Sequence, residues 1–278
     1  MTELLNEHRC FGGTQRFYQH DSRAIGLPMR YAVFMPPVKT GETLPVVFFL
    51  AGLTCNEETF MTKAGAQRIA AEQGIILVAP DTSPRGADVP GEDEAWDFGS
   101  GAGFYVDATE TPWAQHYRMY SYILELRELI LSTLPADPLR CGIFGHSMGG
   151  HGALVLALRN PALFRSVSAL APIAAPMHSP WGKKAFSGYL GPDQDRWRAY
   201  DASVLVAAAP ARFPAILIDQ GEADKFLAEQ LYPDVFAAAC ADAGQALELR
   251  RHAGYDHGYY FVSTFVADHL RFHRRQLG

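Results

Sequence analysis

The chain has 278 residues, 48% of them hydrophobic and 19% charged, with a formal net charge of −6; that supports one large core, and 1–278 is read as a single domain. A net acidic chain without a basic run gives no footing for nucleic acid or an anionic membrane surface. The charged stretch Met1 to Arg9 has no apolar signal core, no apolar run is long enough to span a bilayer, and Cys10, Cys55, Cys141 and Cys240 have no metal-type spacing, so a cytoplasmic protein with reduced thiols and no metal is expected.

The chain opens with strand-like segments, Cys10 to His20 and Met29 to Met35, rich in aromatic and β-branched residues and separated by turn residues at Asp21-Ser22. Pro45 to Leu50 is an unbroken apolar run, as expected of a strand buried on both faces. Glu57 to Gln73 reads as helix, interrupted near Gly65, and Ile75 to Ala79 as a second buried strand. Strand, helix, strand in this rhythm implies a parallel sheet. Asp81 to Gly103 reads as a long surface loop, and a loop of that length in a compact domain is usually functional. Gln115 to Leu131 has helical periodicity through Met119, Ile123, Leu126 and Ile130. Downstream come strands at Arg165 to Leu170, Phe213 to Asp219 and Ala246 to Arg251. Ala171 to Asp201 reads as irregular, Phe226 to Ala243 as helix and Gly258 to Arg274 as the closing helix.

Between the Gln115 helix and the Arg165 strand lies Gly145-His146-Ser147-Met148-Gly149-Gly150. It follows the apolar run Cys141 to Phe144 and opens the helix-like run His151 to Leu158. Strand, G-x-S-x-G, helix is the pattern of the nucleophile elbow in α/β-hydrolases. The strained turn lifts the Ser147 hydroxyl off the sheet, and glycines flank it where side chains would clash. Taken alone, the six residues also fit an ordinary glycine-rich turn.

A serine hydroxyl attacks only when a base takes its proton, and the base needs an orienting acid. In this fold the chain order is Ser, then Asp or Glu, then His. Asp219, Glu222 and Asp224 follow the Phe213 strand. Asp224 is preferred because the loop lets its carboxylate turn back toward the strand ends; a helix N-cap is its bland role, and Asp219 is the fallback. His257, beside Gly258 and after the last strand, is the expected base. His252 is read as packing or facing water, His146 and His151 as support for the elbow, and His269 and His273 as surface residues of the closing helix. The oxyanion needs backbone donors. Met148 N–H, next after the nucleophile, is one, and Leu53 N–H, after the bend that Gly52 permits, is the other.

Seven segments carry a resemblance to a known family: Ala51 to Cys55, Gly101 to Ala108, Tyr117 to Tyr120, Gly145 to Ala153, Pro180 to Phe186, Asp219 to Gly221 with Asp224, and Gly254 to His257. They span nearly the whole chain in order, and together the chain resembles the S-formylglutathione hydrolase (esterase D) family. The resemblance implies a single-domain α/β-hydrolase fold: a mostly parallel central sheet with helices on both faces and an antiparallel N-terminal strand region. It also implies a cytoplasmic, homodimeric serine thioesterase without a cofactor, cleaving S-formylglutathione to glutathione and formate in formaldehyde detoxification. Its site residues fall on Ser147, Asp224, His257, Leu53 and Met148. It further places Cys55 near the pocket, as a thiol that would make the enzyme thiol-sensitive, and Trp181 over a small acyl pocket; a small buried hydrophobe and a core aromatic are their ordinary roles. Lys183, Lys184 or Arg118 are the expected cations for the glutathione carboxylates. A broad short-chain carboxylesterase or an acyltransferase would use the same triad, and an inactive hydrolase serving as a binding module is the reading from another class.

Overall fold

Three antiparallel strands open the chain, β1 (Thr2–Cys10), β2 (Gly13–Asp21) and β3 (Pro28–Met35), in a computed structural model that describes residues 2–278. The sequence reading starts its first strand at Cys10 and misses β1. That strand is an exposed edge with charges on both faces, so it shows no apolar alternation. Cys10 ends it because Phe11 and Gly12, at φ of 48° and 76°, form the two-residue reversal that pairs Cys10 with Gly13.

The parallel part begins with β4 (Leu44–Leu50), buried at every position. Helices α1 (Glu57–Lys63) and α2 (Gln67–Gln73) follow, separated around Gly65 as expected, then β5 (Ile76–Pro80). The long loop from Asp81 is only partly at the surface: Asp81, Thr82, Ser83, Val89 and Glu92 are buried. Helix α3 (Met119–Thr133) starts later than Gln115, where the Asp107 carboxylate accepts the Ser121 N–H and hydroxyl. Then come β6 (Ala136–His146), α4 (Met148–Arg159) and β7 (Ser166–Leu170).

The stretch expected to be irregular instead holds α5 (Pro180–Leu190) and α6 (Gln194–Trp197), followed by α7 (Ala202–Ala207). Its start signal was legible: Ser179 caps α5 by accepting the Gly182 N–H, and Pro180 occupies the first turn. After β8 (Ile216–Gly221), the expected Phe226 to Ala243 helix is split. A π-turn over Leu227–Leu231 ends at Tyr232, at φ 51°, and α8 (Pro233–Asp242) restarts at Pro233, which cannot donate to the preceding turn. The chain closes with β9 (Leu247–His252) and α9 (Tyr259–Leu277).

Among the described residues the strands form one sheet in the order β1-β2-β3-β5-β4-β6-β7-β8-β9. Pairing is antiparallel up to β3–β5 and parallel from there on, with helices packed around it, which is the expected α/β-hydrolase arrangement. Phe49 stacks on Phe60 of α1 at 3.7 Å and meets Phe144 edge-on at 4.9 Å, all three fully buried. Each such ring contributes on the order of 2 kcal/mol of burial.

His269 and His273 correct the surface expectation: both are fully buried. They share the stripe of Val262, Val266, Leu270 and Leu277 that α9 turns to the sheet, while Arg271 and Arg275 take the other face. Their rings are satisfied rather than solvated. His273 lies 2.6 Å from Ser166 Oγ and 3.0 Å from Ser168 Oγ, and His269 lies 2.8 Å from Ser168 Oγ.

Candidate active site

The loops after β4, β6, β8 and β9 all leave the same edge of the parallel sheet, where ligands of open α/β sheets bind. Ser147 sits at the sharp turn after β6, between the last residue of β6 and the first of α4. Its φ of 58° and ψ of −120° are strained for a residue with a side chain. The strain is held by three backbone bonds. Ser147 N–H donates to Leu170 O (3.0 Å), and Ser147 O accepts from His151 N–H (3.0 Å) and Ile173 N–H (3.2 Å). Gly149 is obligatory, since a Cβ there would lie 1.9 Å from Leu50 O. Met148 is the first residue of α4, so its N–H has no acceptor within the helix.

The loop after β4 lies against the nucleophile. A Cβ on Gly52 would stand 3.1 Å from Ser147 Cβ and 3.3 Å from His146 O. Thr54 N–H donates to Gly101 O (2.9 Å) and Cys55 N–H to Gly52 O (3.3 Å). The Cys55 carbonyl accepts from Thr82 Oγ1 (2.5 Å) and Arg85 Nη2 (3.0 Å), and the Tyr105 hydroxyl holds Ala51 O (2.9 Å). The loop is thus fastened on both sides of Leu53.

Asp224 and His257 are brought together. The buried Asp224 Oδ2 lies 2.5 Å from His257 Nδ1 and accepts from Gln220 Nε2 (3.3 Å), while Oδ1 accepts the Phe226 N–H (2.8 Å). Asp224 is not a helix N-cap: its bond to the Phe226 N–H is a local turn, and the same carboxylate holds His257. Their loops are clasped by Glu222 N–H to His252 O and Ala223 N–H to Tyr255 O, both 3.0 Å. The His257 ring rests edge-on against Phe226 (5.0 Å) and on His146 (4.6 Å). Burial, and then the neighbouring His257, push His146 well below the usual histidine range, so it is a neutral support. His151 is also support. Its Nε2 lies 2.9 Å from Phe104 O, and burial pushes it down to about 4.

Asp219 serves another cluster. Arg250 Nε and Nη2 each stand 2.5 Å from its two oxygens, His269 Nε2 at 3.2 Å and His252 Nε2 at 3.2 Å. Burial opposes its charge, but the hydrogen bonds from His269 and Arg250 outweigh it and hold the carboxyl well below the usual carboxylate range. His252 therefore packs, stacked on Phe265 at 3.8 Å.

Burial pushes the Cys55 thiol up, against the opposing pull of Tyr259, Thr59 and Lys63. Trp181 is buried and meets Phe226 at 4.7 Å and Trp96 edge-on at 5.6 Å, so one ring separates it from His257. Phe226 was missed in the sequence because nothing in its spacing marks it, although it follows Asp224 by two residues. Of the expected cations, Lys184 is paired with Asp97, and Lys183 and Arg118 are exposed. Among the described residues no group of three or more His, Cys, Asp or Glu side chains is placed to hold a metal, and no helix is long and apolar enough to cross a membrane.

The Esterase family model ("Putative esterase") matches residues 22–272. The chain is 54% identical to an S-formylglutathione hydrolase of Mus musculus and 52% identical to that of Rattus norvegicus. Each match runs over 275 residues, 98% of both chains. An S-formylglutathione hydrolase structure from Agrobacterium tumefaciens superposes with a TM-score of 0.96 at 50% identity, over 99% of each chain.

Proposed function

The chain belongs to the S-formylglutathione hydrolase family of esterases, and from that premise we propose that it is a serine thioesterase that hydrolyses S-formylglutathione to glutathione and formate. The observation that carries the chemistry is the 2.5 Å contact between His257 Nδ1 and a buried Asp224 carboxylate, on the edge of the sheet that also presents Ser147.

In this reading Asp224 fixes the His257 ring with Nδ1 protonated, leaving Nε2 as the base. His257 takes the Ser147 hydroxyl proton while Ser147 Oγ attacks the formyl carbon. The Leu53 and Met148 N–H groups receive the oxyanion; each such donor is typically worth about 3 kcal/mol in the transition state. The C–S bond breaks, the thiolate leaves and is protonated from His257, and a formyl ester remains on Ser147. Water, deprotonated by His257, attacks that ester; the Ser147 Oγ–C bond breaks, Oγ takes the proton back from His257, and formate is released. Ser147 and His257 end in their starting protonation states, the original Ser147 proton having left on glutathione and a proton of water having replaced it, so the cycle closes on these groups and water alone. Gly52 brings the β4 loop close, Cys55 lies behind it, and Trp181 walls the acyl side through Phe226. The same reading takes residues 1–278 as one hydrolase domain, working as a cytoplasmic homodimer. Four free cysteines support a reducing compartment.

Formate release from S-formylglutathione by the purified protein tests this. A kcat/KM for a neutral short-chain aryl ester far above that for the thioester would favour a broad carboxylesterase instead.

A further inference from the structure

Glutathione carries its sulfur on the middle residue of a tripeptide and a carboxylate near each end. Two ammonium groups rest on aromatic rings that lead to His257. Lys225 Nζ stands 4.9 Å from the centre of the Phe226 ring, whose edge contact with His257 is 5.0 Å. Lys63 Nζ stands 5.8 Å from the centre of the Tyr259 ring, which lies 5.9 Å from His146 and so one ring from His257. Among the described residues neither lysine is paired with a carboxylate, whereas Lys184 is held by Asp97 and Arg250 by Asp219. An aromatic ring beneath an ammonium restrains it without neutralising it, leaving the charge for a ligand.

The Lys63 side is also concave. Lys63, Tyr259, Tyr260 and Ser263 line a surface pocket of about 360 Å³ between α1 and α9. The Tyr259 hydroxyl at its floor is buried, and the Lys63 charge acts on the Cys55 thiol of the β4 loop. Tyr259, one of the lining residues, also interacts with Cys55 of the loop proposed to hold the oxyanion.

We propose that Lys63 and Lys225 form a two-point clamp for the terminal carboxylates of glutathione, one on each side of the reacting sulfur, and that they set thiol specificity. This rests on the S-formylglutathione reading above. It also explains how a chain of net charge −6 accepts an anionic substrate: the attraction is local to the mouth.

The test is steady-state kinetics of the full chain carrying Lys63→Ala and Lys225→Ala together, against wild type and the double Lys→Arg variant. Both lysines are exposed, so folding is not at risk. The ratio of kcat/KM for S-formylglutathione to that for a neutral aryl ester should fall at least about tenfold in the double alanine variant, chiefly through KM, the loss expected for charge-assisted contacts. The arginine pair should restore most of it, and added salt should raise the wild-type KM for the thioester far more than that of the alanine pair. An unchanged ratio in the alanine pair overturns the clamp while leaving the thioesterase reading standing. A wild-type enzyme that cleaves the neutral ester and not S-formylglutathione overturns the reading and the clamp together.

Discussion

Asp224 and His257 come from loops after adjacent parallel strands, and they meet at 2.5 Å because β8 and β9 run in register to their last residues, with Gly221 opposite His252. The pairing at the strand ends delivers both loops to one place, and two backbone bonds then lock them face to face. Asp219, five positions earlier, points into the packing between the sheet and α9.

That divergence separates two aspartates by experiment. Asp224→Asn should lower kcat by about 10⁴, as expected when the orienting acid of a triad is lost, with little change in melting temperature. Asp219→Asn leaves Arg250 and His269 without their carboxylate and should lower the melting temperature by roughly 10 °C, with kcat within about tenfold of wild type. Paired kinetics and calorimetry on the two variants read this directly; a larger kcat loss for Asp219→Asn would reverse the assignment.

Ser147→Ala should reduce formate release by at least about 10⁴ while preserving the circular-dichroism spectrum. Turnover near wild type would remove Ser147 from the mechanism.

Gly52→Ala tests the β4 loop. The added methyl would press on Ser147 Cβ at 3.1 Å, so the loop must withdraw and Leu53 N–H with it. A loss in kcat of about 10–100-fold is expected, with KM little changed, because a donor aimed at the oxyanion acts in the transition state. A KM effect alone would place the loop in substrate binding only.

Buried histidines give the fold an acid limit. Burial pushes His151 down to about 4, and burial followed by the nearby His269 pushes His273 down to about 3. The unfolded chain protonates these residues near 6.5 and the folded chain does not. Stability should therefore be level above about pH 7 and decline as pH falls below 6.5, each histidine adding a slope of up to about 1.4 kcal/mol per pH unit until its folded value is reached. Denaturant midpoints from pH 7.5 to 4.5 measure this, and His273→Gln should flatten the decline.

The parallel core and the Asp224–His257 contact of the candidate site were legible for physical reasons. A strand buried on both faces must be an apolar run, as in Pro45 to Leu50, and an elbow needs glycines where Gly149 has no room for a side chain. Chain order then selected Asp224 and His257. What escaped was whatever leaves no period in the sequence. β1 is polar on both faces, and α5 hides in a stretch dense with proline. His269 and His273 look like surface residues until the sheet supplies Ser166 and Ser168 as partners. Lys63 and Lys225 gain their meaning only from Tyr259 and Phe226, and Lys63 lies far from Tyr259 in the chain.

The backbone of Ser147 carries a cost that the enzyme cannot shed. A side chain at φ 58° and ψ −120° costs about 1–3 kcal/mol, and glycine would relieve it. Ser147→Gly should accordingly melt higher than the parent while releasing no formate. Selection for turnover thus keeps this sequence below the stability its own fold could reach, and a screen for thermal tolerance alone would drift toward inactive proteins at this position.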